Sequence, residues 1–262
     1  MKLLLTSTLV TVATASQLTD MMADLMTANS KTSTIRTKRD LDLLAPGHNL
    51  FLFLTDLTSD YGCWCRMGTN SGYVGNGHGE AQDEFDAECK FLHDNYACLV
   101  LEESTCDPYN VEYERPMQAI PVPDGETDYY WLGQLQRSDL TASEIETECT
   151  DSNGGNSGPL CERSACIIES KFLHKFFQLF MAGKINTAVY ASSSSFDQSI
   201  CYNGNSVSGG ARGDKQCCGS YSTYKQIYYD GTKGCCDNAH VFSTTAKICC
   251  SDGTVKEIAA GC

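Results

Sequence analysis

Between Phe85 and Val100 an apolar side chain returns every three or four residues, at Phe85, Cys89, Leu92, Tyr96, Leu99 and Val100. That spacing predicts a half-buried amphipathic helix, with Asp83 or a neighbour as its cap. A second helix is expected from Cys161 through Phe172, Leu173, Phe176, Phe177 and Phe180. Leu41 to Leu57 is rich in Leu and Phe but broken by Pro46-Gly47, which predicts a short helix after an irregular start. Tyr61 to Gly68 opens a loop that also holds Gly72, Gly75, Gly77 and Gly79. Glycine at that density means positive φ and exposed carbonyls, either a slack loop or an oxygen cage for a hard cation. Asn110 to Glu148 is acidic, aromatic and interrupted by Pro116, Pro121 and Pro123, and reads as a short hairpin or an irregular wing.

The pattern changes at Ala191 to Ser195, a serine-rich linker. Beyond it, 196–262 holds eight of the sixteen cysteines and three vicinal pairs, in a repeat of aromatic, turn and cysteine stop. Neighbouring cysteines on a strand point to opposite faces, so each pair is expected to staple two different neighbours in short cross-linked hairpins.

At the other end, Met1-Lys2 and an apolar run to Ala15 read as a signal peptide, with Ala13-Thr14-Ala15 as its cleavage site. Residues 16–39 lack cysteine and end in Arg36-Thr37-Lys38-Arg39, which predicts a propeptide and a mature start near Asp40. An even cysteine count, all of it after that point, indicates a disulfide framework in an oxidising, extracellular setting. Phe172 to Met181 is the most apolar later stretch, and His174, Lys175 and Gln178 interrupt it. The formal charge of −14 includes five basic and two acidic residues up to Arg39, so cleavage there leaves about −17. Such a surface disfavours nucleic acid and strongly anionic membranes; calcium, zwitterionic lipid or a basic partner suits it better.

The candidate chemistry is His93-Asp94. His93 lies on the apolar stripe, and Asp94, about 100° further round the helix, is expected at the edge facing outwards. Taken alone, the pair reads as readily as a buried histidine beside a solvated acid. Its company is more specific: Tyr61-Gly62-Cys63-Trp64-Cys65, the glycine loop, Cys89, His93-Asp94-Asn95, Cys106-Asp107-Pro108-Tyr109 and Cys161 to Glu169. In that order, over 61–180, these motifs resemble the secreted phospholipase A2 family. The tail resembles, over a short compositional motif, the double-cysteine repeats of galaxin-like matrix proteins.

The phospholipase resemblance implies a mainly α, disulfide-rich fold: two antiparallel disulfide-linked helices and a calcium-type loop, here followed by a cysteine-rich β-hairpin tail. With the leader, cleavage and linker signals above, the chain divides into 1–15, 16–39, a phospholipase-like domain at 40–190, the linker 191–195 and the tail 196–262. It implies hydrolysis of the sn-2 ester of glycerophospholipids, with His93 as general base on water and Glu169 holding its other nitrogen. Calcium would be held by the Asp94 carboxylate and the carbonyls of Trp64, Arg66 and Gly68. The paired spacing predicts the bridges Cys106–Cys161 and Cys149–Cys166. Several positions depart from the family pattern. Arg66 stands for a loop glycine, Glu169 for Asp, and Ala97 for the tyrosine after the His-Asp pair. Tyr96 and Ile168 replace a bridging cysteine pair, which predicts apolar contact there. Two other classes compete: a non-catalytic acidic matrix protein that binds calcium or mineral on the same scaffold, and a receptor-binding module using Arg212-Gly213-Asp214.

Overall fold

The computed structural model describes residues 61–65, 79–114, 117–121, 127–131, 141–155, 158–189, 196–201, 213–221 and 225–262. The expected leader, the propeptide, the helix at 41–57, Arg66, Gly68, the linker and Arg212 lie outside them. The described fold is disulfide-rich, with eight bridges, no free cysteine, three α-helices and four two-stranded antiparallel sheets. The core is helical, but helix is a modest share of the chain, so "mainly α" fits the core alone.

The first helix, α1 (Glu84–Glu102), starts where the Asp83 side chain accepts from the Asp86 N–H at 2.9 Å, with Glu84 and Asp86 in the turn that favours acids. Its stripe is buried as expected at Phe85, Cys89, Leu92, Tyr96 and Leu99, whereas Val100 is 41% exposed. A short helix, α2 (Ala142–Ser152), stands where the sequence pattern indicated a wing. It is held by a capping box in which Thr141 and Glu144 satisfy each other's backbone N–H groups. The long helix α3 (Leu160–Met181) buries Ala165, Cys166, Ile168, Phe172, Leu173, Phe176 and Leu179.

Helices α1 and α3 run antiparallel. Phe85 near the start of α1 meets Phe172 and Phe176, Tyr96 reaches Glu169, and Cys106 just beyond α1 bonds to Cys161 at the start of α3. Cys149–Cys166 ties α2 to α3, so both bridges expected from the spacing are present. Part of the wing is a hairpin of β1 (Met117–Pro121) and β2 (Thr127–Trp131), with Ala119 opposite Tyr129.

The tail is a series of three hairpins: β3 (Lys215–Cys218) with β4 (Gln226–Tyr229), β5 (Lys233–Cys236) with β6 (His240–Ser243), and β7 (Lys247–Cys249) with β8 (Val255–Glu257). Each vicinal pair bonds outwards in two directions. Cys217 reaches back to Cys98 on α1, Cys218–Cys235 and Cys236–Cys249 link each hairpin to the next, and Cys250–Cys262 ties the segment after β8 back to the end of β7. The first hairpin lies on α1, where the Asn95 side chain accepts the Lys225 N–H at 2.9 Å and Tyr221 donates to Glu102 at 2.6 Å. This second covered face explains why α1 buries Asn95 and Cys98 as well as its apolar stripe. A further bridge, Cys63–Cys201, fixes the tail to the turn at Tyr61–Cys65. No helix among the described residues is long and apolar enough to cross a membrane.

Candidate functional site

The site is assembled around Asp86, in the first turn of α1. Its carboxylate accepts the backbone N–H groups of Cys63, Trp64, Cys65 and Gln82 at 2.9, 2.7, 3.3 and 2.9 Å. Burial pushes the Asp86 carboxyl up from its usual range, and those four N–H groups pull it down. Four donors on two oxygens make it an acceptor, which is the ionised form. The turn it holds needs Gly62, whose φ is +59° and where a Cβ would lie 2.3 Å from the Asp86 carboxyl carbon. Cys65–Cys89 closes the turn onto α1 one helical turn later.

This scaffold sets the Trp64 indole beside His93 and Lys90. The Trp64 Nε1–H donates to the Gly79 carbonyl at 3.1 Å, and the ring meets His93 edge to face with centroids 5.3 Å apart. The Lys90 ammonium lies 4.8 Å from the indole centroid, within cation–π range. The same ammonium is 2.5 Å from Oδ2 of Asp94, and the other oxygen of Asp94 faces His93 Nδ1 at 3.4 Å. Asp94 is buried and the His93 ring half-buried, the reverse of the expected arrangement in which Asp94 faced outwards. The helical projection fixes only the angle between His93 and Asp94. It took no account of the Lys90 stem, the turn and the tail, which surround α1 on more than its core side.

Glu169 is buried on α3, where Tyr96 donates to Oε1 and Tyr113 to Oε2 at 2.7 Å. The apolar contact expected of Tyr96 and Ile168 is therefore half right: both lie in the core, and Tyr96 also makes a polar link between the helices. His93, Asp94 and Trp64 lie together, but Glu169, expected to hold the other nitrogen of His93, instead accepts from Tyr96 and Tyr113, and the group facing His93 Nδ1 is Asp94. Arg66 and Gly68 lie outside the described residues. Lys90 and Tyr113 were not picked out as site residues. The four-residue step from Lys90 to Asp94 was a visible signal for the first; nothing local marks Tyr113.

Calcium can be tested against these groups. Among the described residues no cluster of three or more His, Cys, Asp or Glu side chains could hold a metal, and the one expected carboxylate already faces an ammonium. As arranged, they do not fit a divalent cation. A cleft of about 430 Å³ opens elsewhere, at the Cys106–Cys161 end of the helix pair, lined by Glu103, Asp107 and Glu162 among others. Compared with known families and with curated proteins, the chain matches no family model and no curated protein.

Proposed function

We propose that the chain is a secreted phospholipase A2-like hydrolase that cleaves the sn-2 acyl ester of glycerophospholipids at a zwitterionic lipid surface. The observation that carries this reading is His93 on α1, with Asp94 against its Nδ1, on a helix bridged to the Glu169 helix through Cys106–Cys161. With the proton on Nδ1 facing Asp94, Nε2 is the nitrogen that takes a proton from water as it attacks the ester carbonyl. Trp64 packs against the ring and limits its rotation. Glu169, with its two phenols, fixes the spacing of the helices at the level of His93. Eight bridges and no free cysteine favour an oxidising, extracellular destination.

The test is release of fatty acid from phosphatidylcholine vesicles by the purified protein and by His93→Gln. Loss of a general base is expected to cost roughly 10² to 10⁴ in rate. Equal rates in the two proteins, or no release by the parent above a protein-free blank, would remove this reading.

A second reading has one observation in its favour. If the Lys90–Asp94 pair is permanent, the scaffold is that of a non-catalytic acidic matrix protein, and the serially bridged tail is its docking arm. That protein binds calcium or mineral through surface acids and releases no fatty acid in the same assay.

A further inference from the structure

We infer that Lys90 is a built-in cation that closes the Asp94 site to divalent metal, so that this one side chain decides whether the site takes calcium. The inference rests on the phospholipase-like reading above for the identity of Asp94 as the metal-facing carboxylate.

Both oxygens of Asp94 are engaged by side chains of its own helix, Oδ2 by the Lys90 ammonium at 2.5 Å and Oδ1 by His93 Nδ1 at 3.4 Å. The same ammonium also lies over the Trp64 indole, 4.8 Å from its centroid. Lys90 thus touches both the carboxylate and the side chain of Trp64, the residue whose carbonyl is the other described candidate ligand. A divalent ion placed on Asp94 would share that space with a like charge a few ångströms away, which is strongly repulsive in a partly buried site. Calcium must therefore displace the ammonium before it can use the carboxylate.

The pair is more than helix-surface decoration. Ion pairs at this spacing are best with the acid N-terminal to the base, and here the order is reversed, so helix stability does not account for it. Exposed pairs are loose and contribute little, whereas the Asp94 side chain is only 9% exposed and its charge needs a local partner. Lys90 itself is 37% exposed on a flexible four-carbon stem. It can swing away without any core residue moving, so the closure is reversible.

The experiment uses the full mature chain and three variants: Lys90→Met, Lys90→Arg, and Lys90→Met combined with Asp94→Asn. Terbium luminescence sensitised by indole reports binding, with calcium as competitor, and the calcium-induced shift in melting temperature reports it a second way. Lys90→Met is expected to tighten terbium and calcium binding by at least about tenfold, since it removes a unit charge beside the ligand. Lys90→Arg keeps the charge and should bind like the parent. The double variant should lose the gain. An affinity within twofold of the parent for Lys90→Met, or a gain that survives Asp94→Asn, overturns the inference. Hydrolysis is read separately. If the affinity gain appears and neither protein releases fatty acid, the hydrolase reading falls and the role of Lys90 stands; if the parent hydrolyses lipid and Lys90→Met shows no gain, the reverse holds.

Discussion

The hydroxyl of Tyr96 on α1 donates to the carboxylate of Glu169 on α3, and both side chains are almost fully buried. A carboxylate taken out of water costs several kcal/mol unless hydrogen bonds replace its hydration, and here two phenols do so, Tyr96 on one oxygen and Tyr113 on the other. Burial, and after it the negative charge of Glu169, holds the Tyr96 phenol well above its ordinary value. The link joins the two long helices one turn from His93.

Tyr96→Phe removes one of those two donors from a buried carboxylate. A hydrogen bond to a charged group is worth roughly 1.5 to 3 kcal/mol, and a loss of that size should appear in urea denaturation at pH 7. The pH dependence has a definite sign. Because the folded phenol keeps its proton where the unfolded one has lost it, the parent loses stability as pH rises above about 10. The variant should show a shallower loss over that range. Identical slopes in the two proteins would mean that Tyr96 titrates alike in both states and that the link is absent.

Much of the helical core was legible because it depends on local regularities. The period from Phe85 to Leu99, the Asp83 cap and the cysteine spacings each fix geometry over a few turns. What the sequence concealed depends on segments far apart in the chain. Val100 continues the apolar period, yet it is 41% exposed. Asp94 read as outward-facing and is buried beside a neighbouring lysine, and Asn95, next to it, is covered by a hairpin more than a hundred residues later. The helix α2 carried a readable signal in Thr141-x-x-Glu144, hidden by the acidic and aromatic composition around it. In the tail, the alternation of side chains along a strand foretold that each vicinal pair would bond in two directions. The identity of the partners, Cys98 above all, was not written in any local pattern.

Lys171 offers a prediction with the opposite slope to that of Tyr96. It is buried on α3, with its ammonium 3.4 Å from the Tyr221 carbonyl, and burial lowers its pKa to about 8 against the partial support of Glu88 and Glu146. Between about pH 8 and pH 10.5 the unfolded chain binds the proton that the folded chain has released, so stability rises with pH across that window. Lys171→Met should stabilise the protein by roughly 1 to 3 kcal/mol at pH 7 and by little above pH 10.5. Melting curves at pH 7 and pH 10.5 decide it. A variant that is less stable than the parent at pH 7 would show that the ammonium contributes more through its partners than its burial costs.

The last prediction concerns Cys98–Cys217, which joins α1 to the first hairpin of the tail across 119 residues. Replacing both cysteines by serine leaves Cys63–Cys201 as a tether, together with the contacts of Lys225 and Tyr221 with Glu102 and of Lys225 with Asn95. Loss of a cross-link over a loop of that length is expected to cost about 2 to 4 kcal/mol. The loss should be local in its effect. The β3–β4 hairpin depends on α1 for a covered face, whereas β5 to β8 are held to their neighbours by Cys218–Cys235 and Cys236–Cys249, and the last hairpin is closed by Cys250–Cys262. Amide hydrogen exchange should therefore accelerate in β3–β4 and in the last turns of α1, and stay near the parent's rates from Lys233 onwards. Acceleration of equal size along all three hairpins would mean that the ladder takes its order from the helix rather than from its own serial bridges.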